Sequence, residues 1–331
     1  MINDFSRLPP RASILGWLAV LLAAGLVGGP AVAQLPACET VVTTKIEKDI
    51  KAAMGFPVLH DDEADSTKRG MVCHDQFCTE FDGERKTPVW VAERLTPEIV
   101  TGDNPRPHSS WKHDCKLADE IPEVKDGDYK NSGLARGHMA ASADFKYSVK
   151  WMKQTFTFSN AVPQVQNGFN GGAWRWLEDR IQKLAKERRA VFTITGPVHL
   201  RKDGAEIVVA EGQNACGTEI TLAGLATLGK AAICDANDDD STKSCDAGVA
   251  VPSGLFKIVY VPGKERVFAF LMSNEDHRPF RKSRQSTADY LEDWRVSINV
   301  IEDLTNLQFF PKWSSRKERV MKDGCAVTTW R

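Results

Sequence analysis

The chain lacks a surplus of either charge. Its 331 residues carry 43 lysines and arginines against 44 aspartates and glutamates, a formal net charge of −1. That excludes a broad basic surface of the kind that holds nucleic acid by bulk electrostatics, so any polyanion site must be built from local patches. No internal repeat or low-complexity tract is present, which excludes a repeat architecture. Beyond the first 33 residues no segment is long and apolar enough to cross a bilayer as a helix. Cys73, His74 and Cys78 have no second pair to complete a zinc site, and a disulfide is the better reading for them. The alternating Asp235, Asn237, Asp239 and Asp246 lack the glycine that a calcium loop needs at its sharp turn, where Asp240 stands instead, and read as a solvated acidic loop.

What is present begins with a leader-like segment. Arg7 and Arg11 precede an apolar run over residues 14–27, and Ala31-Val32-Ala33 forms a small-residue cleavage site. An uncleaved membrane anchor is the competing reading, since residues 12–33 carry no charge. Gly28-Gly29-Pro30 and the cleavage triplet favour a signal peptide over residues 1–33, followed by a chain of residues 34–331 that is secreted or periplasmic. Removing the leader leaves a charge near −2. All eight cysteines follow it, an even count that on an exported chain reads as disulfides. Eight allow about 105 pairings; proximity alone favours Cys234 with Cys245. About 300 residues suffice to bury a core as one large domain or two small ones.

Apolar spacing predicts a helix within residues 41–54, where Ile46, Ile50 and Met54 share a face. Residues 77–81, 89–95, 190–195, 256–261 and 266–271 read as strands, the last two joined by the turn Pro262-Gly263-Lys264-Glu265. Thr155-Phe156-Thr157-Phe158 alternates and predicts a half-buried strand feeding Asn160. Residues 172–189 predict a helix with Leu177, Ile181 and Leu184 on one face. Strands mixed irregularly with helices argue for an α+β fold with a largely antiparallel sheet. Residues 200–250 read as a polar, cysteine-bearing insertion.

The chemistry concentrates in residues 134–178, as three polar clusters separated by apolar runs: Ala135-Arg136-Gly137-His138, Ser159-Asn160 with Pro163-Gln164, and Asn170 with Ala173-Trp174 and Leu177-Glu178. His138 has the residue type to take a proton from water near neutral pH, although most histidines are structural. Asn170 stands where the helix near Gly171 should start and suits an N-cap, yet its carbonyl oxygen can also bind a hard cation. Glu178 lies two turns along that helix, either paired with Arg175 or Gln182 or placed to act on a metal through water. Asn160 and Gln164 are turn-formers or loop-shaping residues able to touch phosphate. Arg175 and Arg180, with the basic residues 183–189, extend a candidate substrate groove.

This ordered set resembles the DNA/RNA non-specific endonucleases of the ββα-metal (His-Me finger) class, whose signature is Asp-Arg-Gly-His, Ser-Asn, Pro-Gln, Asn-x-x-Ala-Trp and Leu-Glu. The resemblance runs from about Phe77 to the Phe309-Phe310 region, with the ββα-metal motif over about residues 134–189 and the insertion at 200–250 outside it. It implies that His138 is the general base and Asn170 the one direct protein ligand to Mg²⁺, with Mn²⁺ as an alternative ion. It implies further that Glu178 orders metal-bound water, Arg136 supports the phosphate, and Asn160 and Gln164 shape the loop. The implied substrates are DNA and RNA, cut to leave 5′-phosphate ends, with a homodimer as one possible assembly. The family's leading aspartate is Ala135 here. An upstream family arginine could correspond to Arg106, but the register through residues 105–111 does not decide it. Two rival functions remain: a catalytically silent nucleic-acid or surface-binding protein on the same fold, and a phosphodiesterase for a small or lipid-borne substrate.

Overall fold

Strands that are apolar on both faces set the architecture. A computed structural model describes residues 44–60, 68–125, 127–199, 207–209, 220–222, 248–278, 286–314 and 322. Its first elements are α1 (Lys45–Ala53), β1 (Val58–Leu59), β2 (Arg69–Cys73), β3 (Phe77–Asp82), β4 (Thr87–Leu95) and α2 (Pro97–Val100). The middle of the chain forms β5 (Leu134–His138), α3 (Val149–Gln154), β6 (Ala161–Val165), α4 (Trp174–Glu187) and β7 (Val191–Val198). Two short strands follow, β8 (Ile207–Val209) and β9 (Ile220–Leu222). The last part holds β10 (Gly254–Val261), β11 (Arg266–Ser273), α5 (Thr287–Glu292), β12 (Arg295–Val296), α6 (Ile298–Thr305) and β13 (Leu307–Gln308).

Seven strands form one sheet in the order β12-β11-β10-β7-β4-β3-β2, antiparallel throughout. The predicted α+β class with a largely antiparallel sheet is therefore what the chain adopts. Both faces are covered, and the two-residue period of a strand sends alternate side chains to different cores. Along β10, Leu255, Val259 and Val261 join the core under α4, while Phe256, Ile258 and Tyr260 join the core beneath α1 and α6. The same alternation places Glu93 of β4, Thr193 and Thr195 of β7 and Lys257 of β10 close together, because these positions face one another in the strand registers. The β10–β11 hairpin pairs from Gly254↔Ser273 to Val261↔Arg266, as its turn sequence predicts.

A separate antiparallel ribbon, β5 with β6, is followed by α4. The amphipathic α4 buries Trp174, Leu177, Ile181 and Ala185 against the sheet. Cys73 and Cys78 face each other across the β2–β3 hairpin and form a disulfide, as expected; Cys115 is disulfide-bonded as well. The Cys234–Cys245 pairing, the acidic loop near Asp235 and the leader over residues 1–33 lie outside the described residues. Within the 200–250 insertion, β8 pairs with β9, and Ile220 and Leu222 are buried in the α1/α6 core.

Two sequence expectations are corrected. Residues 155–158 are not a half-buried strand: Thr155, Phe156, Thr157 and Phe158 are all buried, and Thr157 makes only an isolated bridge with Lys112. The hydroxyls of Thr155 and Thr157 donate to the carbonyls of Met152 and Gln154, which curls this stretch off the end of α3. Nor does Asn170 cap the helix. Residues 166–173 form an irregular turn with Gly168 at φ +84°, and α4 begins only at Trp174.

Candidate active site

The ribbon and the irregular turn bring the sequence clusters to one place. A cleft of about 400 Å³ is lined by Arg106, Trp111, Tyr129, Leu134, Ala135, Arg136, Gln166 and Asn170. The Asn170 amide donates from Nδ2 to Gln166 Oε1 at 2.9 Å, and among the described residues nothing donates to its Oδ1. The Arg136 guanidinium carbon lies 5.5 Å from the Tyr129 ring centre and 5.9 Å from that of Phe158. Arg106 sits 5.3 Å over the Phe156 ring. Neither arginine has an acidic partner among the described residues, so two uncompensated guanidiniums face the cleft that Asn170 lines. The sequence left Arg106 undecided because prolines flank it and no periodicity fixes its register; the tertiary structure puts it in the same cleft as the ribbon's Ala135 and Arg136.

His138 ends β5 one layer behind this wall. Its ring packs against Trp111 at 4.6 Å and edge-on to Phe156 at 4.8 Å, and its Nε2 is buried without a hydrogen bond. Burial, reinforced by the Arg106 charge, pushes its pKa down to about 3, which keeps the ring neutral. Gly137 is required here: a Cβ at this position would overlap the Gln164 carboxamide, which lies fully buried against the glycine with neither polar atom bonded. Gln164 thus supports the ribbon from behind and does not line the cleft. Asn160 is also fully buried and binds the backbone of the turn after His138.

The turn bearing Asn170 is braced from the end of β11. The Asn274 side chain accepts from Val165 N–H and donates to the carbonyls of Pro163 and Pro252, each at 3.0 Å, so it serves β6 as a neighbouring strand would. Gly168 is pressed against Asp276 and the His277 backbone, and the buried Phe169 stacks on His277 at 5.4 Å. His277 is held at both ring nitrogens, by Tyr290 Oη at 2.7 Å and the Ser273 carbonyl at 2.8 Å.

Glu178 stands apart from the cleft lining, half-buried on α4 beside a buried polar layer that holds Glu93, Asp144, Gln182 and Lys257. Burial raises its pKa to about 8, Lys257 opposes that rise, and Asp144 and Asp179 add to it. Lys257 is 1 % exposed; its Nζ lies 4.0 Å from Glu93 Oε1 and donates to the Met139 carbonyl at 3.3 Å. Gln182 donates to Asp144 and Thr193 to Glu93. The charge of Lys257 thus acts on Glu178 through space, while its ammonium is anchored on the residue next to His138. A lone lysine in the apolar run Leu255-Phe256-Lys257-Ile258-Val259 was the signal that could have found the layer, since an unpaired buried ammonium is costly. Arg175 is exposed and 3.9 Å from Asp179, its i+4 neighbour, and neither it nor Arg180 lines the cleft.

The family model for DNA/RNA non-specific endonucleases matches residues 61–316. The mitochondrial nuclease of Saccharomyces cerevisiae is 29% identical over 260 residues, 75% of this chain and 67% of its own length. Nuclease C1 of Cunninghamella echinulata is 27% identical over 268 residues, 80% of this chain and 90% of its own. The chain spans about two thirds of the length of human nuclease EXOG, at 66%, and a smaller share of some other mitochondrial relatives. The crystal structure of the EndoG/EndoGI complex contains a chain of the same fold, with a TM-score of 0.55 and 24% identity over 81% of this chain and 94% of that one.

These relatives also correct one expectation. The yeast, human, frog, mouse and fission-yeast proteins are mitochondrial nucleases by name, so they do not support the secreted or periplasmic placement read from the leader. Among the described residues no helix is long and apolar enough to cross a membrane. With the family model matching most of its length and the β5–β6 ribbon, the Asn170 turn and α4 in place, the chain belongs to the DNA/RNA non-specific endonuclease family of hydrolases.

Proposed function

We propose that this protein is a Mg²⁺-dependent endonuclease that hydrolyses phosphodiester bonds of DNA and RNA with little sequence preference. The observation that carries the reading is the meeting of Arg106, Arg136 and Asn170 around one cleft, with His138 held neutral immediately behind it. Two guanidiniums without acidic partners bind a phosphate through its non-bridging oxygens and stabilise the charge that builds there during attack. Contacts aimed at phosphate carry no base or sugar information, which accounts for indifference to sequence and to the 2′-hydroxyl.

Asn170 fits a hard cation: it offers at the cleft a neutral carbonyl oxygen that accepts no hydrogen bond among the described residues. Bound there, with water and substrate phosphate completing its shell, Mg²⁺ would supply Lewis-acid neutralisation of the phosphate and of the leaving 3′ oxygen. His138 takes the proton from the attacking water; its ring is neutral and so able to accept, as a weak base while it stays buried. Water must first reach Nε2, so the Trp111 indole has to yield slightly when substrate enters. Glu178 orients water at the edge of the site in its ionised form, which its raised pKa of about 8 favours at alkaline pH and a bound cation would extend downward.

Cleavage of plasmid DNA and of RNA, with Mg²⁺ and with EDTA, tests the reading beside His138→Ala and Asn170→Ala. Both nucleic acids are cut only with metal, His138→Ala loses nearly all activity, and Asn170→Ala needs far more metal. Undiminished cleavage by His138→Ala would reject the base; hydrolysis of small phosphodiesters alone would assign a different substrate.

A further inference from the structure

The segment that joins β5 to β6 carries a surface that phosphate cleavage alone does not require. Residues 146–153 read Lys-Tyr-Ser-Val-Lys-Trp-Met-Lys. Tyr147 and Val149 are exposed, at 50% and 37%, although the apolar residues of this fold are mostly buried. Tyr147 stacks on Trp151, with ring centres 5.5 Å apart and planes at 26°, while Trp151 rests its other side on the α4 core. Lys146, Lys150 and Lys153 flank this pair and are exposed. Lys150 is 3.1 Å from Asp75, whereas Lys146 and Lys153 have no acidic partner among the described residues. An aromatic face supported from beneath and rimmed by lysines is complementary to unstacked bases on a phosphate chain.

Both ends of this surface are tied to the cleft. Asn104 donates to the carbonyls of Lys146 and Tyr147, both at 2.9 Å, and Gly102 is packed against the same turn, where a Cβ would meet the Lys146 carbonyl. Arg106 is two residues from Asn104, a chain reach of roughly 7 Å at most. At the other end, α3 runs through Thr155 into Phe156, which carries Arg106 above it and touches His138. Tyr147 is therefore within reach of nucleotides that neighbour a phosphate held by Arg106.

We propose that residues 146–153 form a docking surface for a single-stranded stretch of nucleic acid next to the scissile phosphate, with Tyr147 as the stacking platform and Lys146 and Lys153 as phosphate contacts. This rests on the reading of the cleft as a nuclease site. Duplex substrates keep their base faces stacked inside, so the Tyr147 contact serves single strands, and the lysines serve both forms.

Binding of a fluorescently labelled single-stranded 12-nucleotide DNA, measured by anisotropy in EDTA, tests this without catalysis; a duplex of the same sequence is the control. Tyr147→Ala should weaken single-strand binding at least about fivefold and duplex binding less than twofold, and Tyr147→Phe should restore it. Lys146→Ala with Lys153→Ala should weaken both and flatten the salt dependence. Unchanged single-strand affinity in Tyr147→Ala, or equal losses on single strand and duplex, overturns the platform. Hydrolysis of a small p-nitrophenyl phosphodiester with Mg²⁺ keeps the two readings apart. It should be unaffected by Tyr147→Ala, and its absence in the wild type, with oligonucleotide binding intact, counts against the catalytic reading and not the surface.

Discussion

Asn160 is hydrogen-bonded to both backbone groups of Ala140: its Oδ1 accepts from the Ala140 N–H at 2.8 Å, and its Nδ2 donates to the Ala140 carbonyl at 3.0 Å and to that of Thr155 at 2.9 Å. One buried side chain thus fixes the exit of β5, two residues beyond His138, against the end of α3. Asn160→Ala leaves these groups without partners and should cost about 3 kcal/mol. A melting temperature lower by roughly 6–12 °C follows, together with loss of activity. A melt within a degree of wild type would remove Asn160 from this role.

Gly137 and Gln164 predict a second effect. Gly137→Ala forces a methyl into the space of the Gln164 carboxamide, and overpacking of this kind costs about 1–3 kcal/mol. Because the clash is pairwise, Gln164→Ala should relieve part of it. A double-mutant cycle on thermal unfolding shows non-additivity if the two side chains are in conflict; simple addition would mean that Gly137 is needed for another reason.

The pH dependence follows from two opposite shifts. A carboxylate is charged above its pKa, so Glu178, raised to about 8 by burial, loses its charge as pH falls through that value. A histidine base is neutral above its pKa, so His138, lowered to about 3, stays neutral over roughly pH 5–9. The acid limb of the pH–rate profile therefore belongs to Glu178, displaced downward by bound cation, and Glu178→Gln should abolish it. Persistence of the limb at the same pH in that variant would assign it to another group.

The brace from β11 predicts a change in metal affinity. His277→Phe keeps the stack on Phe169 and removes both ring hydrogen bonds, and Asn274→Ala frees the edge of β6. Supporting contacts of this type typically govern about tenfold or more in metal affinity. Mn²⁺ titration by calorimetry should show that weakening while the proteins still unfold cooperatively, and excess metal should recover most of the activity. Wild-type affinity in both folded variants would show that the turn holds its own shape.

Lys257 is the cation of a layer that also contains Glu93 and Asp144 and lies beside Glu178. Lys257→Met preserves volume but leaves three carboxyls without a positive charge, a change that costs about 3–5 kcal/mol for a buried ion pair broken on one side. The loss should be larger at pH 8 than at pH 5.5, since protonation relieves the uncompensated carboxylates at the lower pH. Chemical denaturation at the two values checks it; equal losses would mean the layer is already neutral.

The strands of the sheet were legible because their apolar runs are bounded by turn residues, and α4 because its apolar face repeats at helical spacing. Residues 155–158 misled because alternation of threonine and phenylalanine has the period of a strand, while the threonine hydroxyls bond locally and every ring finds a partner inside. Asn170 looked like a helix cap because glycines follow it. Their backbone freedom in fact serves an irregular turn, and Gly168 at positive φ is where the brace presses in.

What the sequence alone determined is the order and spacing of Arg136, His138, Asn160, Gln164, Asn170 and Glu178, together with the helix that carries Glu178, since apolar periodicity is a local signal. The tertiary structure decided the rest. It set Arg106 in the cleft, His138 against Trp111, and Glu178 within the field of Lys257. The contacts responsible join residues far apart in the chain: Thr193 to Glu93 across 100 positions, Asn274 to Pro163 across 111, and Lys257 to Met139 across 118. No local periodicity records such pairs, because they form only when the antiparallel registers bring β4, β7, β10 and β11 side by side beneath the ribbon.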